Sequence, residues 1–271
     1  MTNRLDLRFE ELKQRGEKAL IAYLMAGDPS LPDTEQLVLG LERSGADVIE
    51  LGVPFSDPIA DGSVIQQAAE RALRCGTSLR RILTMVAGLR RQTQIPLVLM
   101  AYYNTIHAYG EQEFCRDAVQ AGVDGLIVPD MPLEESGPVK DRAEQAGLDV
   151  IFLLAPTSTP SRRASVGKAS KGFIYYVSLT GITGAKLTDL TNVEENVKRI
   201  RKLTRVPISV GFGVATPQDA ARIAAVADGV IVGSAIVKQI ATHQQDPSLV
   251  ASVGTFVSSL KQAMLNPAAV G

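Results

Sequence analysis

The feature that most restricts this chain is an alternation of two periods. Eight short apolar runs, Ala19–Ala26, Asp47–Gly52, Pro96–Tyr102, Gly125–Asp130, Asp149–Pro156, Phe173–Ser178, Pro207–Gly213 and Gly229–Ser234, are each followed by residues of helical period. Runs that are apolar on both faces suit strands buried on both faces, and strands alternating with helices assemble into a parallel sheet. Eight such units predict a single (β/α)8 TIM barrel. An extra N-terminal helix, ending at Gly16, is expected to plug the barrel floor. The unit also repeats in sequence. SGAD, AGVD, AGLD and VADG each join a helix directly to an apolar run, with Gly expected as a left-handed cap. The alternative is an open doubly wound sheet. It requires a glycine fingerprint after the first strand, and MAGDPS is not one.

No linker or low-complexity stretch divides the 271 residues, so one barrel domain, 1–271, is expected. A net charge of −1 with no basic block points away from nucleic acid and from anionic membranes. Cys75 and Cys115 lie far apart and match no metal spacing. The first residues carry no apolar signal core, and no run approaches the length of a membrane span. A cytoplasmic location is expected.

Glu50 interrupts the apolar run Val48–Val53, and the segment after it, PFSDPIADG, adds Asp57 and Asp61. Barrel chemistry sits at the carboxyl ends of the strands, where Glu50 falls. Burial raises the pKa of a carboxyl facing the barrel interior, which suits a general acid or base near neutral pH. The alternative is a structural Glu paired with Lys or Arg on a neighbouring strand. For Asp61 the alternative is a helix cap before SVIQQ, and for Asp57 a turn role.

A second candidate site is a set of glycines. The sixth, seventh and eighth strands open into SLTGITGAK, GFG and GSA. Phosphate sites in barrels are made there, by backbone N–H groups at helix N-termini. Gly213, Gly233 and Ser234 fit this demand, with Gly184 covering from the sixth loop. Ordinary turn glycines are the alternative. Lys186 is the one cation in these loops, so backbone dipoles are expected to carry the binding. The only histidines are His107 and His243, which disfavours a His-built metal site, and the strands offer no Lys for a Schiff base. Metal-free acid–base chemistry on a small phosphate ester is the reading that remains.

ELGVPFSDPIADG, YYNTIHAYG, GLIVPDMPLEES, SLTGITGAK, GFGVATPQDA and GSAIVK together resemble the tryptophan synthase α subunit family and its close relatives, the indole-glycerol-phosphate lyases. The resemblance spans nearly the whole chain. It implies retro-aldol cleavage of indole-3-glycerol phosphate to indole and glyceraldehyde 3-phosphate. It implies Glu50 as acid–base catalyst and Asp61 as the carboxylate that accepts the indole N–H. Tyr175 is implied near the side-chain hydroxyl, and Thr183 as the partner of Asp61 when the sixth loop closes. Tyr23, Leu99 and Phe212 are implied as the indole pocket. Ser56, Asp57 and Pro58 are implied to face a β subunit in an α2β2 heterotetramer. No cofactor is implied in this chain, pyridoxal phosphate being expected only in the β partner. Leu179, Thr180 and Ser63 stand where some members have Arg, Ser and Pro, which bears on loop closure and coupling rather than on the reaction. A free-standing lyase carries the same residues, and a non-catalytic phosphate-binding regulatory subunit is a remoter reading.

Overall fold

The computed structural model describes residues 3–177, 190–211 and 213–266. Among them, nine parallel strands form one sheet: β1 (Ala19–Met25), β2 (Val48–Gly52), β3 (Leu97–Met100), β4 (Gly125–Ile127), β5 (Asp149–Ile151), β6 (Leu153–Leu154), β7 (Ile174–Val177), β8 (Ile208–Gly211) and β9 (Gly229–Val232). Their order is β5-β4-β3-β2-β1-β9-β8-β7-β6. Only Phe152 separates β5 from β6, so the two ends of that order are continuous in the chain and the sheet closes into the expected barrel. The expected fifth strand is thus two pieces. Its first part pairs with β4 and its second with β7, the stagger that closing a tilted sheet imposes.

Helix α1 (Arg4–Arg15) precedes β1, and α2 (Leu31–Arg43) follows it. Then come α3 (Ser63–Arg74) and α4 (Leu79–Leu89) after β2, and α5 (Tyr103–Tyr109) and α6 (Glu111–Ala121) after β3. α7 (Gly137–Ala146), α8 (Pro160–Ala169), α9 (Leu190–Arg201) and α10 (Pro217–Ala224) follow β4, β6, β7 and β8. α11 (Ser234–His243) and α12 (Leu249–Leu265) end the described chain. The sequence reading lacked α5 and α11. α11 begins at Ser234, which that reading counted into the eighth strand, with only Gly233 between strand and helix.

Strand side chains alternate between two apolar layers. Leu20, Ile49, Leu97, Leu99, Leu126 and Val210 face the helices. Ile21, Val48, Val98, Ile127, Ile151 and Phe173 fill the barrel, and Leu5, Phe9 and Leu12 of α1 close it from below. Asn3 caps α1 by accepting from the Leu5 and Asp6 N–H groups, and Gly16 ends it at a φ of 70°. The plug expected from the sequence is therefore present.

The repeated helix-to-strand joint has a meaning beyond capping. Gly45, Gly122 and Gly147 adopt positive φ as expected, whereas the glycine of VADG, Gly229, lies inside β9. What the four joints share is the aspartate. Asp47 Oδ2 accepts from Leu20 N–H at 2.7 Å, Asp124 Oδ2 from Leu97 N–H at 2.8 Å, and Asp228 Oδ2 from Ile208 N–H at 3.0 Å. In each case the aspartate's own N–H donates to the carbonyl of the same strand residue. Each carboxylate thus clamps the start of one strand to its neighbour. Asp149 is the exception, with Oδ2 buried and unpartnered. The N–H in the matching place is that of Asp124, already donated to Leu97 O. Burial and the charge of Asp6 push the Asp149 carboxyl up to about 6.

Candidate active site

The two-residue alternation of β2 sends Val48, Glu50 and Gly52 inward. Register places Glu50 beside Tyr23 of β1 and Val98 of β3. Glu50 is 1% exposed, and its Oε2 has no hydrogen-bond partner. Among the described residues it forms no ion pair, so the structural-salt-bridge alternative fails. Burial, with the charge of Asp61 added, pushes its carboxyl up to about 8. Asp61 reaches the same cavity from the loop after β2. Burial pushes it up to about 6, against a hydrogen bond from Tyr102 that lowers it. Asp61 does not cap α3: Gly62 occupies that position, without a side-chain cap bond.

Tyr23 and Tyr175 complete the inner wall. Both hydroxyls are held well above their ordinary pKa, first by burial and then by the charges of Asp61 and Glu50. Their seats depend on glycine. A Cβ on Gly52 would lie 2.1 Å from Tyr23 Oη, and one on Gly211 would lie 2.7 Å from Tyr175 Oη. Gly52→Ala is expected to expel the Tyr23 phenol and destabilise the fold by about 1–3 kcal/mol, read as a lower Tm. An unchanged Tm would mean that the ring has another place to go.

The cavity has a volume of about 780 Å³ and runs from these residues to the rim made by Gly213, Gly233 and Ser234. Gly213 has a φ of 78°, a conformation that favours glycine. The two helix N-termini at the rim differ. α10 is closed by its own capping box, Thr216 with Asp219. α11 has Gly233 at its N-cap and no side-chain cap bond, so its first N–H groups are left for an anion. The cavity wall also includes Arg222 and Lys238. Inspection of the loops alone missed both, because they lie within α10 and α11 rather than in the loops.

One expectation is corrected. Leu99 is fully buried in the outer layer, among the residues facing the helices. Met100 lines the cavity instead, with Leu153, Ile231 and Ile65. A strand apolar on both faces does not reveal which parity points inward; pairing with Glu50 does, since it places Val98 and Met100 on the inner face. Thr183, Gly184 and Phe212, like Leu179, Thr180 and Lys186, lie outside the described residues. Ser56 and Asp57 are exposed and Pro58 is half-buried, on the outer side of the loop that carries Asp61. The sequence reading passed over Ile59 beside them, which is 85% exposed. Among the described residues, no helix is long and apolar enough to cross a membrane.

The family model described as tryptophan synthase alpha chain matches residues 9–265. The tryptophan synthase alpha chain of Citrifermentans bemidjiense is 52% identical over 263 residues, covering 97% of this chain and 98% of that one. That of Geobacter sulfurreducens is 51% identical over 258 residues, covering 95% and 97%. The crystal structure of tryptophan synthase subunit alpha from Legionella pneumophila superposes with a TM-score of 0.92 at 38% identity, covering 98% of this chain and 100% of that one. A chain of Mycobacterium tuberculosis tryptophan synthase gives 0.89 at 37% identity, covering 97% and 99%. With a family model matched over almost its whole length and its carboxylate pair in a barrel-mouth cavity, the chain belongs to the tryptophan synthase alpha chain family.

Proposed function

We propose that Glu50 and Asp61 divide the work of the family's reaction, the cleavage of indole-3-glycerol phosphate to indole and glyceraldehyde 3-phosphate. The observation that carries this is the buried Glu50 carboxyl, its Oε2 without a partner, beside a second carboxyl of lower pKa. Near neutral pH, Glu50 holds its proton and Asp61 has released its own. Protonated Glu50 gives its proton to the indole carbon that bears the side chain. Asp61, facing the indole N–H, stabilises the positive charge that grows on the ring. The Glu50 carboxylate then takes the proton of the side-chain hydroxyl as the carbon–carbon bond breaks. Glu50 ends as it began, and the net change is one proton moved from hydroxyl to ring carbon.

Tyr175 and Tyr23 flank the reacting side chain, and Met100 packs on the indole. Gly213, Gly233 and Ser234 receive the phosphate at the α11 N-terminus, with Arg222 and Lys238 adding positive potential. We extend the roles of Thr183, as partner of Asp61 on closure, of Gly184 on the phosphate and of Phe212 on the indole from the family likeness. The proton transfers use groups of this chain alone, so no cofactor is assigned to it. The family implies a β-subunit partner. We place its docking face at Ser56, Asp57 and Pro58, joined by Ile59, in an α2β2 assembly in the cytoplasm that passes indole from one subunit to the other. The whole chain, 1–271, then acts as one barrel domain.

Indole release from indole-3-glycerol phosphate by the purified chain tests the reading, alone and with saturating β subunit. The expected result is slow release that rises steeply with the partner. The profile of kcat/KM against pH should be a bell with limbs near 6 and 8, because activity needs Asp61 ionised and Glu50 protonated. Fast release unmoved by the partner would make it an autonomous lyase. No release in either case would overturn the reaction.

A further inference from the structure

Tyr102 stands at the carboxyl end of β3 and touches both ends of the loop that carries Asp61. It is 4% exposed. Its ring stacks on Phe55, near the start of that loop, with centroids 5.2 Å apart and planes 28° from parallel. Its hydroxyl accepts from the Ala60 N–H at 3.0 Å, near the end of the loop. The Asp61 carboxylate lies close enough to the same hydroxyl for its charge to push the phenol's pKa up, behind the larger effect of burial. The bond from Ala60 fixes the backbone next to Asp61. The post itself is rigid. Ala101 N–H donates to Ile127 O at 3.0 Å, and Tyr103 N–H donates to Asp130 Oδ1 at 2.9 Å, tying both flanking residues to β4 and the loop after it. The remaining ties of Asp61 are weaker guides to its side chain: its N–H donates to Pro58 O, and its carbonyl accepts from Gln66.

We propose that Tyr102 is the positioning residue of the catalytic loop: its ring holds Phe55 and its hydroxyl holds the Ala60 N–H, so that the loop presents Asp61 to the cavity. The inference rests on the reaction assigned above and adds to it a residue that need not touch the substrate. The ionisable groups facing Asp61 are Glu50 from β2, Tyr23 from β1, Tyr175 from β7 and Tyr102 from β3, with Asp130 acting on Tyr102 from beyond β4. Among these groups Tyr102 is the one that lowers the Asp61 carboxyl. Removing its hydroxyl lets Asp61 keep its proton to higher pH.

The test is Tyr102→Phe, which keeps the stacked ring and deletes only the hydroxyl. Three readouts are taken: kcat and KM for indole release, the pH profile of kcat, and the titration of the Asp61 carboxyl carbon by NMR in the ligand-free chain. We expect kcat to fall roughly 10-fold, as for a lost hydrogen bond. KM should stay within about twofold, since such an interaction acts in the transition state rather than on binding. The acid limb and the Asp61 titration should both move to higher pH. An unchanged kcat, or an Asp61 titration that does not move, overturns the proposal. If the parent chain releases no indole, the assigned reaction fails, and the carboxyl titration still decides the role of Tyr102.

Discussion

Glu50→Gln is expected to slow indole release by about two to four powers of ten while making the protein more stable at pH 8. The two effects share one cause. Glu50 is 1% exposed with a bare Oε2, and burial holds its carboxyl up to about 8 from an ordinary 4.5. Between those two values the native state binds a proton that the unfolded chain has released. Stability from this group is therefore fully present below about pH 4.5 and is lost as pH rises toward 8. Each pH unit in that window removes about 1.4 kcal/mol. Glutamine fills the same space, carries no charge and cannot transfer a proton. The Tm of the variant should match the parent near pH 4 and exceed it at pH 8, with turnover nearly abolished. Near-normal turnover would remove Glu50 from the chemistry. A parent–variant Tm difference that does not change with pH would mean that the carboxyl has a partner in the native state.

Asp47→Ala is expected to destabilise the barrel floor by about 3–5 kcal/mol, with no direct effect on the site. The Asp47 side chain is fully buried and meets Arg8 at 2.6 Å and Lys261 at 2.8 Å. It also accepts from Leu20 N–H. Truncation leaves the Lys261 ammonium, whose side chain is 9% exposed, with only Glu17 at 3.5 Å and the Lys18 carbonyl. It also strips one strand N–H of its acceptor and frees α1 from one of its anchors. For a chain of this size the Tm should fall by about 10 °C. Asp228→Ala is the control. Its carboxylate makes the same clamp, but it is 32% exposed and pairs with Arg201 and Lys18 at the surface. Its loss should cost about 1 kcal/mol. Equal losses at the two positions would mean that the strand clamp, and not the buried charge, carries the energy.

Much of the candidate site was legible because its signals are local. An acid inside an apolar strand stands out in any sequence, and so do glycines that follow three consecutive strands. Met100 and Tyr102 carried no such signal. Met100 sits in LVLMAY, where every residue is apolar enough to face either way, and the family resemblance pointed to Leu99 instead. Tyr102 acts on a loop that is distant in sequence, through a hydroxyl whose partners exist only once β2 and β3 are paired. Arg222 and Lys238 entered the cavity wall from positions inside α10 and α11, beyond the loops that the glycines mark.

The sequence carries the eightfold alternation, the helix under the barrel and the strand end at which the chemistry is expected. These follow from periodicity, which each segment carries within itself. It also displayed the repeated aspartate without its purpose. In the folded barrel three of the four clamp a neighbouring strand, while Asp149 finds its matching N–H already taken. The closed sheet likewise decided where the fifth strand changes partner and which face of β3 looks inward. Register and closure are properties of pairs of segments, and a single run of residues does not contain them.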